Sequence, residues 1–239
     1  MATFFLVHGA WHGAWCWAEL RKLLHKQGHE THAITLTGLG ERSHLAHAEI
    51  NADTHVLDVT NAFKWRELED VILVGHSYGG TIITGVAGQI PARIKALVYL
   101  DAMVPLTSDE SLFANGDPKR IAGFKRQLKD GGFLLEPDLF DAWTDSPEKK
   151  AWLKSLCTPH PVECFRSGVT LTGREVEVQN RYYILAERNY PSKFWEYYEK
   201  YRHDPSWKCG RVATKHDVMV EDAPELAGML DQYSREIEA

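Results

Sequence analysis

The sequence predicts an α/β fold, a mainly parallel sheet with helices on both faces and an inserted helical cap. Two observations lead there. Short apolar, β-rich runs alternate with segments of helical periodicity from the N-terminus to Leu100 and again near the C-terminus, and parallel strands require crossover connections of that kind. From about 106 to 173 the alternation stops, and charged, aromatic and Pro/Gly-containing helical segments replace it, which reads as a cap inserted into a single domain spanning 1–239. With 239 residues, 44% of them apolar, the chain can bury one substantial core.

The elements follow in order. Thr3–Val7 is an apolar run that ends in His8-Gly9-Ala10, a buried strand entering a glycine-permitted turn. Residues 15–26 carry apolar side chains at helical spacing, Gly28 stops them, and 29–36 resume an extended pattern. A polar loop over 37–52 leads to a helix near 54–63, and 70–74 form another compact strand. A helix over 81–87 is followed by the strand Ile94–Leu100. After the cap, 181–185 read as a strand, 193–202 as a helix, 209–213 as the last strand, and 224–237 as a closing helix with Pro224 at its start.

Chemistry is concentrated at Gly75-His76-Ser77-Tyr78-Gly79. This Gly-x-Ser-x-Gly pattern stands between a strand and a helix, the context in which a serine hydroxyl is held exposed on a strained turn. A serine needs a base near neutral pH, and histidine suits the task. Of twelve histidines, His216 fits best, because it lies on the loop leaving the last strand and this chain order puts histidine last. His76 adjoins the nucleophile on a turn that points it away, and His203 reads as a solvated helix-end residue. A developing oxyanion needs two preorganised N–H donors, which the pattern assigns to Tyr78, after the nucleophile, and Ala10, in the early loop.

Three stretches together resemble the methylesterase and hydroxynitrile lyase family of α/β-hydrolases, nearest its bacterial aryl and pyrethroid esterases. They are His8-Gly9-Ala10-Trp11-His12-Gly13-Ala14-Trp15, Leu36-Thr37-Gly38-Leu39-Gly40-Glu41-Arg42-Ser43-His44, and the 75–80 turn. The resemblance implies an α/β-hydrolase fold and cofactor-free, metal-free hydrolysis of carboxylic esters through an acyl-enzyme. It is also compatible with a homodimer. Lyase members of the family carry a threonine in the early loop and a lysine after the catalytic histidine, where this chain has Gly9 and Asp217; Asp217 would oppose a departing anion.

The triad acid departs from the family's pattern. Its usual place follows the strand after the cap, and Leu185-Ala186-Glu187-Arg188-Asn189-Tyr190 contains no aspartate. Two acids remain: Asp101, at the end of the strand following the nucleophile's helix, which is preferred, and Glu187. Either would hold the imidazole in one tautomer and stabilise the imidazolium.

The expected substrate is a small hydrophobic or aryl ester, with Trp11, Phe113 and Trp143 as substrate-binding residues and Tyr78, Phe133 and Phe140 as further aromatic candidates for the pocket wall. A small-molecule receptor on the same fold is the alternative from a different class, since fold alone does not decide function. The formal charge of −6, without a basic run, speaks against a nucleic-acid partner. Residues 1–17 have no basic n-region, and no apolar run reaches the roughly 20 residues of a membrane span, so a cytoplasmic protein is expected. Cys16, Cys157, Cys164 and Cys209 have neither zinc-site spacing nor the density of a disulfide scaffold and read as mostly buried thiols.

Overall fold

Six strands of the computed structural model, which describes residues 1–108, 110–116, 118–128 and 132–238, form one parallel sheet. They are β1 (Thr3–Val7), β2 (Glu30–Ile34), β3 (Val71–His76), β4 (Ile94–Leu100), β7 (Arg181–Ala186) and β8 (Trp207–Val212), in the order β2-β1-β3-β4-β7-β8. Between β4 and β7 the short strands β5 (Leu134–Leu135) and β6 (His160–Pro161) pair antiparallel. The inner strands β1, β3, β4 and β7 are largely apolar on both faces, and their alternate residues go to opposite cores. Phe5, Val7, Leu73, Leu97, Tyr99, Tyr183 and Leu185 join one, whereas Phe4, Leu6, Ile72, Val74, Val98, Tyr182 and Ile184 join the other. This is the period-two alternation of a sheet buried on both sides.

Helices cover both faces. α1 (Ala18–Lys26) and α11 (Ala223–Glu238) pack together on the second core, and α2 (Ala52–Trp65), α3 (Gly79–Gln89) and α9 (Lys193–Tyr201) lie on the first. Gly28 ends the α1 segment at φ 86, a left-handed conformation that glycine adopts without strain. α2 begins at a capping box in which Asn51 Oδ1 accepts from the Thr54 N–H at 2.9 Å. The segment between β4 and β7 holds α4 (Leu112–Asn115), α5 (Pro118–Gln127), α6 (Phe140–Trp143), α7 (Pro147–Leu156) and α8 (Glu163–Arg166). A short turn of helix, α10 (Val218–Glu221), follows β8.

Several boundaries differ from the sequence reading by a few residues, among them the starts of α2 and α3, each two residues earlier than expected. Residues 14–17 wind as 3₁₀ rather than α-helix, so the regular helix starts at Ala18. β8 starts at Trp207, two residues before the expected position, because the Trp207 ring stacks on Tyr201 at 4.0 Å and packs on Tyr99, which draws its backbone into register with β7.

The order of strands places the site. β1 has β2 on one side and β3 on the other, so the chain's winding reverses there, and the loops leaving the carboxyl ends of β1 and β3 diverge around a crevice. Those loops carry residues 8–13 and the Ser77 turn. No helix among the described residues is long and apolar enough to cross a membrane.

Candidate active site

Ser77 sits between β3 and α3 at φ 54, a left-handed conformation that is strained for a residue with a Cβ. Its backbone is pinned on every side. The Ser77 N–H donates to Leu100 O at 3.2 Å, and Ser77 O accepts from the N–H groups of Gly80 and Met103, each at 3.1 Å. Two flanking glycines make the turn possible. A Cβ on Gly75 would lie 2.5 Å from Gly79 O, and one on Gly79 would lie 2.6 Å from Val7 O.

His216, on the loop after β8, turns its Nδ1 to Asp101 Oδ2 at 2.6 Å, and both residues are buried. Asp101 follows β4 directly and sits at φ 42. Its Oδ1 accepts from the Ala186 N–H at 3.2 Å, and its Oδ2 also accepts from Asn189 Nδ2 at 2.7 Å. Asn189 Nδ2 stands 3.2 Å from His216 Nδ1. Of the two acids left open by the sequence, Asp101 is therefore the one that meets the imidazole. Glu187 instead pairs with Arg211 at 2.9 Å. The face of His216 stacks on Phe194, with centroids 4.9 Å apart and planes at 10°. His76 donates from Nε2 to the backbone carbonyl of His216 at 3.0 Å, and burial holds its pKa well below the ordinary value. It latches the His216 backbone as a neutral ring.

Ser77 and His216 share the wall of a cavity of about 320 Å³ with Ala10, Trp11, Met103, Leu139, Trp143, Asn189 and Phe194. The early-loop residue Ala10 thus lines the same cavity as Ser77. Tyr78 follows Ser77 at the N-cap of α3, but its side chain leaves the cavity and its hydroxyl meets His55 Nδ1 at 2.9 Å. Trp11 and Trp143 reach the cavity; Phe113 does not. The Phe113 ring stacks on Phe124 and lies under the Arg166 guanidinium, so helix α4 packs it against α5 and α8 instead of the cavity. Phe133 and Phe140 also lie outside the lining, where Phe140 packs edge-on against Trp143 at 4.9 Å. Asn189, Phe194 and Met103 were not singled out from sequence, although Asn189 falls in the stretch where an aspartate was sought.

The contrast with lyases needs one correction. Asp217 is buried and absent from the cavity wall, and its Oδ2 is 3.1 Å from His12 Nε2. Its charge is met by His12 and does not face the cavity. Gly9 carries the contrast on steric grounds, because a Cβ there would lie 2.8 Å from His76 Nδ1 and 3.0 Å from Ser77 Cβ.

Behind Tyr78, His55, His160 and Cys164 come close enough to hold a metal ion. Three of their four ring nitrogens are engaged, and the fourth, His160 Nε2, is buried with no hydrogen-bond partner among the described residues. His55 Nε2 donates to Thr37 O at 2.9 Å, and His160 Nδ1 accepts from the Trp11 N–H at 3.1 Å. An ion would have to displace bonds that hold the site's own loop, so the cluster reads as structural.

A family model described as "Alpha/beta hydrolase family" matches residues 4–236. The chain belongs to the alpha/beta hydrolase family. A carbendazim hydrolyzing esterase of Nocardioides sp. (strain SG-4G) is 38% identical over 238 residues, covering 96% of this chain and 98% of that protein. Methylesterase 3 of Arabidopsis thaliana is 30% identical over 171 residues (66% and 60%), and an alpha-hydroxynitrile lyase of the same plant is 41% identical over 106 residues (44% and 41%). Among solved alpha/beta hydrolases, an extracellular enzyme from a Paenibacillus species superposes with TM-score 0.81 at 21% identity, covering 99% of both chains. A pyrethroid hydrolase superposes with TM-score 0.76 at 20% identity over 98% of both. These likenesses agree with the fold class and with the family resemblance read from the three motif stretches.

Proposed function

We propose that this chain hydrolyses small hydrophobic or aryl carboxylic esters through a Ser77-His216-Asp101 triad and an acyl-enzyme. The observation that carries the reading is the 2.6 Å pairing of His216 Nδ1 with the buried Asp101 carboxylate on a cavity wall that also holds a strained Ser77. With Nδ1 committed to Asp101, Nε2 is the nitrogen left to take the serine proton. Ser77 Oγ attacks the ester carbonyl while His216 Nε2 accepts its proton. The N–H groups of Ala10 and Tyr78 receive the oxyanion, and His216 returns the proton to the departing alcohol. Water then attacks the acyl-serine by the same route, releasing the acid and restoring Ser77.

Two further facts support the substrate class. The wall is largely apolar, with Trp11, Trp143, Met103, Leu139 and Phe194 around the few polar groups. Ester hydrolysis is also the activity named for the carbendazim esterase, which matches nearly end to end. Leu112, Leu139, Ala142 and Trp143 reach the cavity from the segment between β4 and β7, so that segment acts as a cap that sets specificity.

Turnover of p-nitrophenyl butyrate tests the reading. The wild type is expected to be active, and Ser77→Ala and His216→Ala to lose kcat by about 10³-fold or more. Retention of wild-type turnover by Ser77→Ala would remove the serine from the mechanism.

A further inference from the structure

The loop after β1 supplies the proposed Ala10 donor, and three histidines hold its successive peptide groups. The peptide between Gly9 and Ala10 has its carbonyl bound by His8 Nδ1–H at 2.8 Å, while His8 Nε2 accepts from the Leu36 N–H at 3.1 Å. One donor and one acceptor make His8 a neutral ring of fixed tautomer, and burial pushes its pKa down to about 3. The next peptide, between Ala10 and Trp11, has its carbonyl bound by His12 Nδ1–H at 2.7 Å and its N–H bound to His160 Nδ1 at 3.1 Å. Trp11 itself sits at φ 64, so the backbone on the C-terminal side of Ala10 is strained and needs these restraints to persist.

His12 differs from the other two. Its Nδ1 faces a carbonyl, which can only accept, and its Nε2 faces the Asp217 carboxylate at 3.1 Å, which accepts too. Both bonds exist together only when both ring nitrogens carry hydrogen, that is, as imidazolium. Removing the proton sets a lone pair against either Ala10 O or Asp217 Oδ2 and breaks one of the two links.

We propose that His12 is a positioning residue, an imidazolium clamp that ties the oxyanion loop at Ala10 to Asp217, the residue directly after the base. The proposal rests on the hydrolase reading for its catalytic meaning, and it assigns Asp217 a role that the comparison with lyases did not. The two elements it joins are 205 residues apart in sequence yet carry the oxyanion donor and the base. The link is reinforced where the Asp217 N–H donates to Trp143 O at 3.2 Å, and the Trp143 ring packs on His12 at 4.9 Å.

The groups facing His12 from each packed element are few. Asp217 comes from the loop after β8, and His76 from the end of β3, with ring centroids 6.3 Å apart. His8 lies at the end of β1, Trp15 stacks on His12 at 5.3 Å, and Cys16 and Cys157 approach Asp217 from behind. His8 and His76 are held neutral by burial, and both thiols are pushed up. Burial opposes a charge on His12, and the attraction and hydrogen bond of Asp217 outweigh it, so the His12 pKa is raised.

The test has two arms. The first is ¹⁵N NMR of the imidazole nitrogens in the resting, histidine-labelled protein, with His12→Gln to assign the signal. His12 is expected to carry two protonated nitrogens at pH 7.5. A neutral His12 there would overturn the proposal whether or not the protein hydrolyses esters. The second arm is the pH profile of kcat and KM for p-nitrophenyl butyrate in wild type and Asp217→Asn. The introduced carboxamide can donate to Nε2, so a neutral His12 keeps Nδ1–H on Ala10 O and both links survive at every pH. Wild type should therefore lose kcat on the alkaline side by up to about 10²-fold, the cost of one oxyanion donor, with KM changed little, and Asp217→Asn should lack that fall. An alkaline fall that is the same in both proteins would also overturn the proposal. If no ester is turned over at all, the hydrolase reading fails by itself, and the NMR arm still decides the clamp.

Discussion

Moving the proposed triad's carboxylate from one strand end to the other measures how closely two positions serve one imidazole. Asp101 Oδ2 lies 2.6 Å from His216 Nδ1, and Asn189 Nδ2 lies 3.2 Å from the same atom. Asp101→Asn removes the anion that fixes the imidazole tautomer, and losses of about 10⁴-fold in kcat, near 5 kcal/mol, are usual for that change. Adding Asn189→Asp returns a carboxylate at the longer distance. At an effective dielectric of about 20, the attraction for a forming imidazolium is weaker there by about 1.2 kcal/mol, or roughly tenfold in rate. The double variant should regain about a thousandfold over Asp101→Asn and stand within about tenfold of wild type. Glu187→Gln should stay near wild type, because Glu187 pairs with Arg211. Initial rates on p-nitrophenyl butyrate, normalised by titrating active serine with a phosphonate, give the comparison. A near-normal Asp101→Asn, or a double variant as inactive as that single change while folded by circular dichroism, would refute this reasoning.

Other expectations follow from the same geometry. Burial depresses the pKa of His8 to about 3 and of His55 to about 4, and holds His76 and His160 well below the ordinary 6.5. These folded values lie below the unfolded value, so their contribution to stability is complete above about pH 6.5 and is lost as pH falls; each costs about 1.4 kcal/mol per pH unit, up to roughly 6 kcal/mol per pH unit for the four. Thermal melts should therefore drop steeply between pH 6.5 and 5, and a midpoint unchanged down to pH 4.5 would contradict the neutral assignment. His12 acts in the opposite sense: its raised folded value gives stability that is present below about pH 6.5 and declines as pH rises through that value, a decline that Asp217→Asn should flatten in the same melts. Phe194→Leu removes the ring stacked on His216 and should lower kcat by up to about tenfold, the size of an aromatic pair; an unchanged kcat would show that the stack does not orient the base. Gly75→Ala forces a Cβ to within 2.5 Å of Gly79 O and should destabilise the fold by about 1–3 kcal/mol in urea melts, whereas a wild-type midpoint would mean that the turn relaxes freely.

The fold and the candidate-site positions Ser77 and His216 were legible because local pattern decides them. The strand before Ser77, the helix after it and the glycines around it lie within one short stretch, and chain order alone placed His216 on the last βα loop. Asp101 could be named because it ends a clear apolar run, but choosing it over Glu187 required knowing which strand end faces the imidazole. What escaped the sequence depends on approach between distant segments. Nothing local reveals that His12 meets Asp217, that Asn189 rests on Asp101, or that Phe194 covers His216. Phe113 shows the same limit from the other side: an aromatic at helical spacing looks alike whether its helix turns it toward a cavity or onto a neighbouring ring. The charge of Asp217 was visible in sequence, but its burial against His12 was not, and burial changes what that charge can act upon.

Every step of the proposed hydrolysis requires Ser77 to be an activated nucleophile. Incubating the protein with an aryl phosphonate and mapping the adduct by peptide mass spectrometry tests that directly. One phosphonyl group on Ser77, absent from Ser77→Ala and much slowed in His216→Ala, is the predicted result; an unlabelled protein, or label on another residue with Ser77 untouched, would contradict it.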